Sequence, residues 1–174
     1  MYYSLFDSHL NFGNLLWGCA ANEFINNIEN LQKRCVRNVA LKQFKAHTEP
    51  LFKSLSILKF PDKLSYCQSI FMNQFRNKKL PESFTNIFTD IKSTDDTQTH
   101  HNDYNYLNKA ATKRNLESFP FKCMVSTWNS LDIDIKATAD QNEFQKLLKE
   151  KYLTSYCAEV QCVANCYSCN KDHV

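Results

Sequence analysis

Four cysteines crowd the end of this 174-residue chain in the spacing Cys157-x4-Cys162-x3-Cys166-x2-Cys169, with His173 just beyond them. Thiolates two residues apart can grip one Zn²⁺, and three or four such ligands complete a tetrahedron. The spacing matches neither paired Cys-x2-Cys knuckles nor the usual Cys₂His₂ pattern. Two readings therefore stand: a zinc site formed by Cys157, Cys162, Cys166 and Cys169, or a tail of thiols at a chain end.

A second group is cationic. Lys33, Arg34 and Arg37, followed by Lys42 and Lys45, make a basic run, with Gln32, Asn38 and Gln43 beside them as uncharged donors. Such a face attracts phosphates, with an affinity that falls steeply with salt because counterions are released. The competing reading is a solvated helix face.

Bond-making chemistry is harder to find. Two-metal phosphoryl transfer needs carboxylates gathered on a rigid element, and the only adjacent acidic pair, Asp95-Asp96, lies in Ser93-Thr94-Asp95-Asp96-Thr97-Gln98 with no apolar strand on either side. His9, His47, His100 and His101 offer general bases in principle, but none stands in a pattern that pairs it with a nucleophile. With only Gly13 and Gly18, the chain has no glycine-rich phosphate loop. We expect no catalytic centre and no obligatory cofactor.

The elements that must carry these residues are helical. Apolar residues at Leu5, Phe12 and Leu16 predict a helix ending near Gly18. Phe24, Ile28, Leu31, Cys35 and Val39 predict an amphipathic helix with Lys33, Arg34 and Arg37 off its apolar stripe. Thr48-Glu49-Pro50 reads as a cap and first turn for Leu51, Phe52 and Leu55. Pro61 opens a further helix with its stripe at Leu64, Cys67, Phe71 and Phe75, closing at Lys78, Lys79 and Pro81. After a polar stretch from Asp90 to Asn105, Phe119-Pro120-Phe121 and Cys123-Met124-Val125 suggest a short extended segment, and Trp128-Asn129-Ser130-Leu131 a turn. Asp140 and Glu143 are spaced as a capping box for a last helix through Phe144, Leu147, Leu148 and Tyr152.

Apolar residues at 43% and charged residues at 22% are globular values. The net charge of +3 is unevenly placed: residues 1–88 hold 11 cations against 6 anions, and residues 89–174 hold 10 against 12. No apolar run approaches the roughly 18 residues of a spanning helix, and the opening residues lack the basic region and cleavage site of a secretory signal. We expect a nuclear or cytoplasmic protein with no membrane partner. The immediate apolar start, without a capping lead-in, suggests a helix cut from something preceding it.

The run Tyr2-Tyr3-Ser4-Leu5-Phe6-Asp7-Ser8-His9-Leu10-Asn11-Phe12-Gly13, then Trp17-Gly18 and Leu31-Gln32-Lys33-Arg34-Cys35-Val36-Arg37, resembles the segment after the palm in non-LTR (LINE-type) retrotransposon reverse transcriptases. His47-Thr48-Glu49-Pro50-Leu51-Phe52, Leu55-Ser56-Ile57-Leu58, Phe71-Met72, Leu80-Pro81, Phe84 with Phe88, Trp128-Asn129-Ser130-Leu131 and Phe144 through Tyr152 follow in the same order. The resemblance reaches about Tyr156. It departs from the pattern at Asp132, where a proline is usual, and at Asn105-Tyr106-Leu107-Asn108, which lacks a common arginine.

The resemblance implies a helical thumb and a C-terminal extension that grip template RNA and primer–template duplex. It places Lys33, Arg34 and Arg37 at the nucleic-acid backbone and makes Trp17 and Trp128 packing residues. The aspartate-bearing polymerase motifs and any endonuclease are not in this chain, so a catalytically incomplete piece that binds RNA or DNA is expected, its partner being the missing polymerase palm of the parent protein. The expected organisation is mainly α: a helical thumb-like bundle over 1–88, a polar linker over 89–106, a smaller α-rich lobe with little strand over 107–156, and a Cys-rich tail over 157–174. The alternative is a helical protein-interaction or structural module with no nucleic-acid role, its 13 phenylalanines lining a partner groove.

Overall fold

In the computed structural model, residues 2–18, 20–84, 87–88, 104–106 and 120–157 are described. The architecture is mainly α-helical, as the spacing predicts, and no β-strand occurs among the described residues. The π-helical turn Tyr2–Asp7 leads into α1 (Ser8–Asn11), followed by α2 (Asn14–Trp17), α3 (Asn22–Val39), α4 (Glu49–Ser54), α5 (Phe60–Arg76), the 3₁₀ turn Glu82–Phe84, α6 (Pro120–Asn129), α7 (Ile133–Ala137) and α8 (Gln141–Thr154). None of the helices is long and apolar enough to cross a membrane among the described residues.

Several local expectations are corrected. The single helix expected up to Gly18 is broken at Gly13, whose φ of 64° is left-handed and separates α1 from α2. The extended segment expected at Phe119–Val125 is instead α6 from Pro120 onward. Proline at the first helical position needs no N–H partner, and Met124, Val125 and Trp128 then fall on one buried face. Of the turn expected over Trp128-Asn129-Ser130-Leu131, Trp128 and Asn129 belong to the end of that helix, and the chain turns at Ser130 and Leu131, whose N–H reaches the Trp128 carbonyl at 3.1 Å. The Asp140 cap is present: its Oδ2 accepts the Glu143 backbone N–H at 2.8 Å.

On α3 the buried face is rotated from the expected stripe. Val36 and Gln32 are fully buried, whereas Phe24 and Leu31 stay 62% and 54% exposed. Periodicity located the helix but ranked the polar Gln32 outside. Its Nε2 donates to Tyr2 Oη at 2.7 Å and to the Leu58 carbonyl at 2.9 Å, which lowers the cost of burying the amide.

Three helices end on the same device. After α3 the Lys42 N–H reaches the Arg37 carbonyl and the Leu41 N–H reaches Asn38; after α4 Ile57 reaches Phe52 and Ser56 reaches Lys53; after α5 Lys79 reaches Gln74 and Lys78 reaches Phe75. These are Schellman closures, which place one residue in the left-handed region. That residue is Leu41, Ser56 or Lys78, with φ of 52°, 53° and 55°, so each closure carries a Cβ where glycine is favoured.

The contacts sort the residues into two compact units, each assembled from separated stretches of chain: Met1–Phe12, Asn22–Asp62 and Lys149–Val174 in the first, Gly13–Ala21 and Lys63–Leu148 in the second. The first unit packs Tyr2, Val36, Phe52, Ile57 and Tyr156 together, with Phe6, Cys35, Val39, Leu51, Leu55 and Leu153 around them.

The second unit is built on Trp128. Its ring is fully buried, 6.0 Å from that of Phe144, and its Nε1 donates to the Tyr104 carbonyl at 2.7 Å. The neighbouring Asn129 amide pairs both ways with the Tyr106 backbone, donating at 2.9 Å and accepting at 3.1 Å. The end of the stretch expected to be a polar linker is thus fastened down, with Tyr106 buried. Gly18 belongs to the same unit, where a Cβ would meet Leu64 Cδ1 at 2.3 Å. Here the glycine serves a close approach, since its φ of −67° is ordinary.

Candidate nucleic-acid interface

The five expected cations do not share one exposed face. On α3, Arg34 points to solvent, while Lys33 is half-buried with its Nζ 3.4 Å from the Glu29 carboxylate one turn earlier. Arg37 is only 9% exposed. Its Nε donates to the Ala46 carbonyl at 2.8 Å, tying the turn that follows α3 back onto the helix. Arg37 therefore positions the turn, and near a helix end its charge also complements the exposed carbonyls. Of the neutral donors, Asn38 and Gln43 are exposed, and Gln32 faces the interior.

The Schellman closure carries the chain past α3 into the turn that presents Lys42 and Lys45, both exposed. Between them stands Phe44, 70% exposed, with the Arg37 and Arg34 guanidinium carbons 5.8 and 6.0 Å from its ring centre. These separations lie at the outer limit of cation–π attraction, so the ring stands next to both guanidinium groups, with a lysine on either side of it in sequence. The patch is therefore Arg34, Lys42 and Lys45 around Phe44, held by Arg37. Phe44 escaped the sequence reading, although an aromatic set inside Lys42-Gln43-Phe44-Lys45 is the pattern a stacking surface would show.

A second polar group lies inside the same unit. Tyr156 Oη donates to Asp62 Oδ2 at 2.5 Å and accepts the Lys59 backbone N–H at 2.9 Å, and Lys53 Nζ donates to the Tyr156 carbonyl at 2.9 Å. Lys59 Nζ bonds Glu49 and lies 4.7 Å from the Tyr156 ring centre. Burial raises the Asp62 carboxyl above its ordinary range despite the Tyr156 and Lys59 contacts. For Glu49, burial pushes upward, but Lys59 and the Cys157 thiol and backbone N–H outweigh it and hold the carboxyl low. Burial, and for Tyr156 the bond to Asp62, drive the Tyr2 and Tyr156 phenols well upward. The cluster fastens the residue pair after α8 to the unit through these bonds.

Of the candidate zinc ligands, Cys157 is exposed beside Glu49, and Cys162, Cys166 and Cys169, with His173, lie outside the described residues. Among the described residues no three His, Cys, Asp or Glu side chains gather as metal ligands. Asp95, Asp96, His100 and His101 also lie outside the described residues. Comparison with known proteins returns no matching protein-family model, curated protein or solved structure.

Proposed function

We propose that this chain is a catalytically incomplete, nucleic-acid-holding piece of a non-LTR-type reverse transcriptase, and that Arg34, Lys42 and Lys45 grip the sugar–phosphate backbone of RNA or DNA. The observation that carries the binding role is the exposure of Arg34 on α3 and of Lys42 and Lys45 on the turn that follows it, a turn that the buried Arg37 ties back onto the helix. The ordered motifs supply the family; the palm that would do the chemistry lies in another part of the parent protein. Work on nucleic acid places the protein in the nucleus or cytoplasm.

Fluorescence anisotropy with a labelled RNA at low salt tests the reading. The wild type binds, and the triple reversal Arg34→Glu, Lys42→Glu, Lys45→Glu abolishes binding while leaving the helical circular dichroism intact. Equal binding by that variant removes the proposed site. In-frame or frameshifted polymerase sequence just upstream in the genomic DNA would establish the origin, and unrelated sequence there would refute it.

One observation favours the second reading, a protein-interaction module. Phe24 and Leu31, seven residues apart on α3, expose an apolar edge, and Tyr3, Leu5 and Phe12 of the same unit are more than half exposed. A stable oligomer by light scattering, with no nucleic-acid binding at low salt, would favour that module.

A further inference from the structure

We propose that Phe44 is a base-stacking platform and that the patch takes single-stranded rather than duplex nucleic acid. The inference rests on the nucleic-acid reading above and narrows its ligand class.

Isolated exposed apolar residues are ordinary on protein surfaces. Phe44 differs in its setting: the ring is 70% exposed and stands between Lys42 and Lys45 in sequence, with two guanidinium groups near it. The turn that carries it is fixed at both ends. The Lys42 N–H to Arg37 carbonyl bond, at 2.9 Å, closes its start, and the Arg37 Nε to Ala46 carbonyl bond, at 2.8 Å, closes its finish. A turn whose backbone is closed in this way loses little freedom on binding, which favours affinity.

An intact duplex presents phosphates to such a patch but keeps its base faces stacked on one another. The ring then has no π-face to meet. An unpaired strand offers both partners: its phosphates lie against Arg34, Lys42 and Lys45, and one splayed base stacks on Phe44. Stacking of this kind tolerates any base, so little sequence preference is expected.

The test compares the full chain with Phe44→Ala and Phe44→Trp, using a labelled single-stranded RNA of about 12 nucleotides and an RNA duplex of the same length. Phe44→Ala is expected to weaken single-strand binding roughly tenfold and to leave duplex binding unchanged, whereas Phe44→Trp restores it, the new indole being quenched by the strand. Because Phe44 is exposed, both variants should melt at the wild-type temperature. Single-strand binding unaltered in Phe44→Ala, or lost equally for strand and duplex, overturns the stacking role while the cationic site stands. If wild type binds neither probe at low salt, the nucleic-acid reading falls and this inference with it.

Discussion

The two units differ in which polar groups they bury. In the first, the interior holds ionisable side chains: Asp62 and Tyr156 share a proton-bearing contact, Glu49 meets Lys59, and Tyr2 bonds Gln32. In the second, indole, amide and hydroxyl groups carry much of the polar bonding, beside one buried cation: Trp128 and Asn129 bind backbone at 104–106, the Thr127 hydroxyl donates to Gln68 at 2.7 Å, and Lys136 Nζ donates to Asn105 Oδ1 and to the Asn129 carbonyl, each at 2.9 Å. A neutral bond keeps its strength across the acid and neutral range, while an ionisable one depends on pH. The raised Asp62 and lowered Glu49 carboxyls therefore give the unit that displays the cationic patch a pH dependence of its own.

The largest expected effect sharpens the picture of the second unit. Trp128→Ala removes a fully buried ring and strands the Tyr104 carbonyl, so urea titration should show a loss of about 3–5 kcal/mol. A loss below about 1 kcal/mol would mean that the indole is not the centre of that unit. Next comes Gly18→Ala, where the added methyl collides with Leu64 Cδ1 and the Asn14 carbonyl; about 1–3 kcal/mol should be lost. An unchanged melting temperature would show that Leu64 yields without cost.

A smaller change has the opposite sign. Replacing Leu41 by Gly relieves a left-handed Cβ at a site 92% exposed, and a gain of about 1 kcal/mol is expected in thermal melts. Destabilisation would mean that the closure of α3 is not left-handed in solution.

The subtlest effect is one of shape. Because the Asp62 carboxyl is raised in the folded protein, its contribution is fully present below the ordinary carboxylate pKa and is lost as pH climbs through the raised one. Glu49, held low, acts oppositely, contributing above the ordinary value and losing that contribution on acidification. Asp62→Asn keeps an acceptor for Tyr156 and should flatten the decline above the carboxylate range in a series of melts against pH, leaving the Glu49 loss in acid. An unaltered profile would place the Asp62 carboxyl in water rather than under Tyr156.

Much of the helical layout was legible because apolar spacing, proline position and the Asp140 cap are local signals. What failed was decided at longer range. The inward face of α3 turns on Gln32, whose amide Nε2 finds its acceptors in Tyr2 and Leu58, 30 and 26 residues away, while its buried Oε1 has no hydrogen-bond partner among the described residues. The sequence of α6 reads as an extended segment because Phe119-Pro120-Phe121 is equally at home in either conformation, and only packing around Trp128 decides. The cationic run was visible as charge, but its division into exposed Arg34, Lys42 and Lys45 and buried Arg37 depends on the tie to Ala46 across nine residues. Phe44 was invisible as a site for the same reason: exposure of an aromatic is a tertiary property.

The most direct test of the central claim is the salt dependence of RNA binding by wild type and by the charge-reversed Arg34, Lys42 and Lys45 variant. Each neutralised phosphate contributes about 0.7 to the slope of log affinity against log salt for a single strand, so wild type should show a slope near −2. The variant should show no measurable affinity. A slope near zero in wild type, or the same slope and affinity in both proteins, would contradict the claim that this exposed cationic turn holds nucleic acid.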